Sequence, residues 1–218
     1  MKLFVDTADL AEIEEIAGWG VLSGATTNPT LLSKVSGEPD DIYRRVCALV
    51  DGPVSAEVVA TEVDDMVAEG RRLAAIHGNI VVKLPMCAES LTATDRLAAE
   101  DVRVNMTLCF SATQALLAAS AGAAFVSPFV GRFDDIGHDG IECLRDVVEV
   151  LEVSTYPTEV IAASIRTPVH VVEAARMGVD IATIPPKVFR QMLAHPLTAA
   201  GIDTFTRDHE ARNAASRS

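Results

Sequence analysis

Along the chain, apolar and polar positions change period repeatedly. Short, near-continuous runs of aliphatic residues give way to longer stretches with an apolar residue every three or four positions. The short runs predict strands over residues 2–6, 24–27, 54–59, 79–84, 102–106, 124–127, 159–163 and 180–184. Between them lie helical stripes. Leu10, Ile13 and Ala17 form the first, opened by Asp9 and Glu12 as a capping-box pair. Ile42, Val46, Leu49 and Val50 form the second, and Val63, Val67 and Leu73 belong to a third beginning near Thr61. A fourth covers 90–100, and Ser111 with Gln114 opens an alanine- and leucine-rich fifth that Gly122 ends. Ile141, Leu144, Val148 and Leu151 mark the sixth. Pro168 and Pro186 sit at the first turns of the last two, where a missing N–H costs nothing.

Ile80-Val81-Val82 is apolar without alternation, as in a strand covered on both faces. Such strands, separated by single helices, imply a parallel sheet with right-handed crossovers. An open doubly wound sheet and an eightfold barrel both satisfy that rule. Eight strand–helix units favour the α/β barrel: a single-domain (β/α)8 TIM barrel over residues 1–218, compact beside the usual size of about 250 residues and finished by a C-terminal helix. The tail after His209 is rich in Ala, Arg and Ser, and its last residues are expected to be unordered.

At 49% hydrophobic and 22% charged residues, the 218-residue chain is far too apolar for a disordered protein. Its 18 Lys+Arg against 31 Asp+Glu leave a formal charge of −13, which disfavours nucleic acid and anionic membrane as partners. No apolar run approaches the roughly 20 residues of a membrane span. Asp6 interrupts the first residues too early for a signal peptide, so a cytoplasmic protein is expected. Cysteines 47, 87, 109 and 143 lack paired spacing and read as reduced, mostly buried thiols. No dinucleotide fingerprint, phosphate-binding P-loop or serine-hydrolase elbow is present. His170 and Glu173 share a helical face without a third ligand, and His77 is explained by a helix end, so neither a metal nor an organic cofactor is expected.

The predicted strand ends carry polar residues: Asp6, Thr26-Thr27-Asn28, Glu57, Lys83, Asn105-Met106-Thr107, Ser127, and Ser164 with Arg166. A closed barrel gathers its carboxyl-terminal strand ends around one mouth. Lys83, among Ile80-Val81-Val82 and Leu84-Pro85, is the sharpest of them, because a charged amine in such company is penalised by desolvation. A nucleophilic amine must be neutral, and lowering its pKa from about 10.4 to about 7 corresponds to roughly 4.6 kcal/mol. Asp6 is therefore expected to stand apart from the amine, or to be offset by Arg132 and Arg166, rather than to form a tight pair with it. Each residue also has a plainer use. Lys83 can pair with a neighbouring carboxylate, Asp6 can cap the next helix, Glu57 can face solvent, Asn28 can turn the chain before Pro29, and the arginines can form surface ion pairs.

Taken together, Phe4-Val5-Asp6-Thr7-Ala8, Thr26-Thr27-Asn28-Pro29-Thr30, Ser55-Ala56-Glu57-Val58, Val82-Lys83-Leu84-Pro85, Val104-Asn105-Met106-Thr107, Val126-Ser127-Pro128-Phe129-Val130-Gly131-Arg132 and Ala163-Ser164-Ile165-Arg166 resemble the small transaldolase family. The resemblance extends through nearly the whole chain and weakens after about Phe205. It implies reversible transfer of a dihydroxyacetone unit between sugar phosphates in the pentose phosphate pathway, without a cofactor. Lys83 occupies the Schiff-base position and Asp6 the general acid/base position, while Glu57 and Thr107 match residues that manage a catalytic water. Asn28 and Asn105 match hydroxyl-orienting residues, and Arg132, Ser164 and Arg166 match the phosphate end, with Thr27, Ser127 and Phe129 completing the substrate-binding set.

The related fructose 6-phosphate aldolases use the same lysine but release free dihydroxyacetone. Glu57 and Phe129 stand where those enzymes tend to carry glutamine and tyrosine, which favours transfer. A noncatalytic barrel serving as a binding scaffold is the alternative from another class. Cys87-Ala88-Glu89-Ser90-Leu91 and His209 depart from the family pattern. The resemblance also implies a homo-oligomer, a pentamer or a decamer of two rings.

Overall fold

The computed structural model describes residues 1–216, in which eight parallel strands close into a barrel in sequence order. They are β1 (Lys2–Asp6), β2 (Gly24–Thr26), β3 (Val54–Glu57), β4 (Ile80–Pro85), β5 (Val104–Cys109), β6 (Phe125–Pro128), β7 (Glu159–Ala162) and β8 (Ile181–Ile184). β8 closes on β1 from Lys2↔Ile181 to Val5↔Ile184, so the eightfold closure forms rather than the open sheet.

The largest departure from the expected strands is at β5, which runs later than 102–106. Asp101 takes a left-handed φ of 60° and the Val102 N–H bonds to Leu97 O, so those residues close the preceding helix. The shift brings Thr107 inside the strand. The register against β6 then slips between Met106 and Cys109, with Leu108 at φ 56°.

Side chains alternate along every strand. One set, including Val5, Val82, Leu84, Val104, Met106, Val126, Ala162 and Ile184, packs outward into the main hydrophobic core under the helices. The other set points into the barrel. There Phe4, Val81, Phe125, Ile161 and Ile181 form a separate apolar cluster.

The expected helices are α1 (Leu10–Ala17), α3 (Pro39–Leu49), α4 (Val63–Ala74), α5 (Ala88–Ala98), α6 (Ala112–Ser120), α8 (Gly140–Glu152), α9 (Pro168–Arg176) and α10 (Pro186–Leu193). Two further helices, α2 (Pro29–Leu32) and α7 (Val130–Asp134), are too short for a periodic stripe to reveal them. Asp9 caps α1 by accepting from the Ala11 and Glu12 N–H groups, while Glu12 accepts from the Thr7 hydroxyl instead of completing the box. At α6 the Ser111 hydroxyl accepts from the Gln114 N–H, and Gln114 Oε1 accepts from the Phe110 N–H at 2.7 Å. The C-terminal helix α11 (Pro196–Ala215) is 20 residues long and buries none of its side chains. The tail after His209 is helical as far as Ala215, and the last residues, 217–218, for which lack of order is expected, lie outside the described residues.

Candidate active site

The period-two rule places the site. Each apolar residue of the inner cluster stands two positions before a residue at the carboxyl-terminal mouth: Phe4 before Asp6, Val81 before Lys83, Phe125 before Ser127, Ile161 before Ala163 and Ile181 before Thr183. The same inward face that packs the barrel floor thus supplies the walls of a cavity of about 140 Å³. The cavity is lined by Asp6, Thr26, Asn28, Lys83, Thr107, Ser127, Phe129, Arg132, Ser164 and Arg166, among others. It widens into a vestibule of about 520 Å³ that Glu57, Lys34, Leu108 and Pro185 also line.

Lys83 is only 5% exposed, yet its amine is not bare. Nζ lies 3.0 Å from Glu57 Oε2 and donates to the Thr27 carbonyl oxygen at 3.0 Å. The pairing follows from register, since Glu57 and Lys83 are opposite one another on β3 and β4. Among the described residues no ion pair joins Asp6 to Lys83, as expected, but the amine takes the other carboxylate instead. The solvent-facing alternative for Glu57 is thereby overturned, because its carboxylate turns inward to the buried charge.

Asp6 accepts from the Thr26 hydroxyl at 2.8 Å, and Thr26 Oγ1 lies 2.6 Å from Thr183 Oγ1. Burial pushes the Asp6 carboxyl above the usual carboxylate range. The positive charge of Lys83, the Thr26 hydrogen bond and Arg166 pull the other way, and Glu57 adds to the rise. Helix capping falls to Asp9, leaving the Asp6 carboxyl to the cavity.

Thr27 and Asn105 are fully buried and lie behind the cavity wall. Thr27 contributes its carbonyl to Lys83, while its hydroxyl donates to Ser55 O at 2.9 Å. Asn105 donates to Ser55 Oγ at 3.1 Å and accepts from Ser127 Oγ at 2.7 Å, a chain linking β3, β5 and β6. Thr107 Oγ1 is buried without a hydrogen-bond partner among the described residues and belongs to the cavity wall. Such an orphan is costly in a core and useful where a substrate or water supplies the partner. Asn28 caps α2 through the Leu31 N–H at 2.9 Å while also lining the cavity.

Opposite these groups the mouth turns basic. The Arg132 guanidinium sits 5.3 Å from the centroid of the Phe129 ring, and Phe129 packs on Phe110 at 5.8 Å. Arg166 pairs with Asp135 at 2.9 Å. Ser164 holds a left-handed φ of 58°, which places its carbonyl to accept the Gly131 N–H at 3.0 Å. A Cβ at Gly131 would come within 2.3 Å of that oxygen and 2.5 Å of Arg166 Cγ, so only glycine lets α7 approach the arginine this closely. Two arginines and a serine in one cavity bring together donors of the kind that can hold an anion on an otherwise acidic protein.

Sequence reasoning missed Thr183 and Tyr43. Tyr43 is buried on α3, and burial pushes its pKa up, while the Thr27 side chain and the Glu57 backbone pull the other way. A hydroxyl at the inward position of β8, two residues past Ile181, was the available signal for Thr183; Tyr43 sits in a helical stripe that gave none. All four cysteines are free, but only Cys47 and Cys109 are buried, fewer than expected. Burial pushes the Cys47 thiol up to about 11 and Cys109 to about 12, whereas Cys87 spends its sulfur capping α5. Among the described residues no group of three His, Cys, Asp or Glu is arranged to hold a metal ion.

A probable transaldolase of Symbiobacterium thermophilum is 59% identical over 211 residues, covering 97% of this chain and 98% of that one. One of Thermus thermophilus is 59% identical, covering 96% and 98%. Probable transaldolase 1 of Listeria monocytogenes is 52% identical, covering 97% and 99%. The carboxyl transferase domain of Rhizobium etli pyruvate carboxylase shares the fold alone. Its TM-score is 0.61 at 13% identity, over 85% of this chain and only 39% of that one. The family model for transaldolase/fructose-6-phosphate aldolase matches residues 3–217, and with Lys83, Asp6 and the arginines converging on one barrel mouth, the chain belongs to that family.

Proposed function

We propose that this protein is a transaldolase that moves a dihydroxyacetone unit from a ketose phosphate, fructose 6-phosphate or sedoheptulose 7-phosphate, to an aldose phosphate through an imine on Lys83. The observation that carries this reading is the Lys83 amine on the cavity wall, with Glu57 3.0 Å from Nζ and Asp6 lining the same cavity. The names of relatives at 52–59% identity support it.

Glu57 is placed to take a proton from Nζ, and the neutral amine then attacks the C2 carbonyl. The C2 oxygen leaves as water, with proton transfer through a water near Glu57 and the unpartnered Thr107 hydroxyl. The protonated imine draws electrons from the C3–C4 bond as Asp6 removes the C4-hydroxyl proton. The aldose phosphate departs and an enamine remains on Lys83. Attack of the enamine on a second aldehyde reverses these steps. Asn28 reaches the substrate hydroxyls, Asn105 holds Ser127 at the wall, and Ser164, Arg132 and Arg166 receive the phosphate.

Free-aldolase activity is the weaker reading, because Phe129 has no proton to donate where a tyrosine would have one. Incubation with fructose 6-phosphate and borohydride, followed by peptide mass mapping, is expected to place an adduct on Lys83. An unmodified Lys83 would favour a scaffold barrel. Free dihydroxyacetone exceeding transfer to erythrose 4-phosphate would favour the aldolase.

The reading extends to residues 1–218 as one domain working in the cytoplasm as a homo-oligomer, a pentamer or decamer. Four free thiols suit a reducing compartment. Leu197, Ile202 and Phe205 on α11 are exposed, Phe205 by 75%, as suits a helix covered by a second copy. Sedimentation tests the assembly.

A further inference from the structure

His170 belongs to none of the roles above, yet it joins the two segments that carry the arginines. Its Nδ1 accepts from the Arg166 backbone N–H at 3.3 Å, which leaves the proton on Nε2. Nε2 lies 3.0 Å from Asp134 Oδ2. Asp134 ends α7, the helix that bears Arg132, and its other oxygen accepts from the Gly140 N–H at 3.3 Å. The next residue, Asp135, pairs with the Arg166 guanidinium. The His170 ring is thus held at both nitrogens, with a side chain only 13% exposed, while the ion pair it supports stands in solvent at 51% and 57% exposure. An exposed pair of that kind contributes little by itself. The partly buried imidazole clip is what keeps the Arg166 backbone and α7 in fixed relation.

We propose that His170 is a positioning residue for phosphate recognition, holding Arg166 and, through Asp134, the α7 segment with Arg132 in one bidentate-ready arrangement. This rests on the transaldolase reading. The clip is anchored beyond the strand ends of β6 and β7 and touches neither Lys83 nor Asp6, so it acts on phosphate binding rather than on bond cleavage.

The test uses the full-length protein and compares erythrose 4-phosphate with unphosphorylated erythrose as acceptor. His170→Ala is expected to raise KM for erythrose 4-phosphate by about tenfold, change kcat by less than about twofold, and leave KM for erythrose unchanged. His170→Asn, whose side-chain oxygen can still accept the Arg166 N–H, is expected to recover part of the loss. Asp134→Asn is expected to raise the same KM by a smaller factor. Equal KM changes for both acceptors, or no change for either, overturn the proposal. Borohydride trapping of dihydroxyacetone on Lys83 reports folding. If His170→Ala fails to trap, His170→Asn and Asp134→Asn decide, and an unaltered phosphate preference in both overturns the proposal. Wild-type protein without transfer activity would instead defeat the transaldolase reading.

Discussion

The barrel interior is two regions built from the same strands. Its floor is Phe4, Val81, Phe125, Ile161 and Ile181, a cluster with no polar atom in its side chains. Further along, the same inward face carries a buried amine, a carboxyl pushed up in pKa by burial, and a hydroxyl unpartnered among the described residues. The floor stabilises by excluding water and filling space. The mouth gives up some of that stabilisation to keep reactive groups out of bulk solvent and close together. A step of roughly 6–7 Å along a strand is therefore expected to separate residues whose loss is felt in folding from residues whose loss is felt in turnover.

The sharpest break is at Lys83. Lys83→Arg keeps a cation for Glu57 but removes the nucleophile, so transfer is expected to fall by at least about 1,000-fold with the circular dichroism spectrum unchanged. Retained transfer in a pure sample would count against the imine. On the floor, Phe4→Ala is expected to lower the unfolding free energy by about 3–5 kcal/mol in a denaturant titration while the folded fraction still traps substrate.

Asp6→Asn sharpens the contrast because it acts on both properties. With the folded pKa raised, the folded state binds the proton more tightly than the unfolded chain. Stability from the protonated carboxyl is fully present below the unfolded pKa, and it is lost as pH rises through the folded pKa. Asp6→Asn is thus expected to raise Tm at pH 7 and to leave it nearly unchanged well below the ordinary carboxyl value of 3.8. Imine trapping persists, while C3–C4 cleavage falls by about 100- to 10,000-fold. A Tm shift of the same size at both pH values would contradict the assignment. The smallest effect lies outside the barrel. Cys87→Ser places a better acceptor at the α5 N-cap and is expected to add about 0.5–1 kcal/mol by thermal unfolding, with kinetics unaltered.

The floor and the mouth were legible in the sequence for different reasons. Continuous apolar runs such as Ile80-Val81-Val82 announce strands covered on both sides, and Lys83 stands out because desolvation penalises it there. What the chain did not disclose is pairing across strands. Whether Lys83 meets Asp6 or Glu57 depends on the β3–β4 register, which no local pattern records. Tyr43 was hidden for a related reason. It occupies an ordinary apolar position of α3, and only the closed barrel brings its hydroxyl under Thr27 and Glu57. The short helices α2 and α7 escaped because four or five residues cannot show a 3.6-residue period.

The Lys83–Glu57 contact also bears on how charge would be carried through the proposed covalent cycle. An ammonium and a protonated imine put the same unit of charge on the same nitrogen, so in either form the carboxylate 3.0 Å away would face the same counterion. The hydroxyls and carbonyls around it need not reorient between those two forms. On the proposed imine route the nitrogen loses that charge only in the attacking amine, the carbinolamine and the enamine that waits for the next aldehyde, and at each of those stages Glu57 would stand beside it to hold or return the proton.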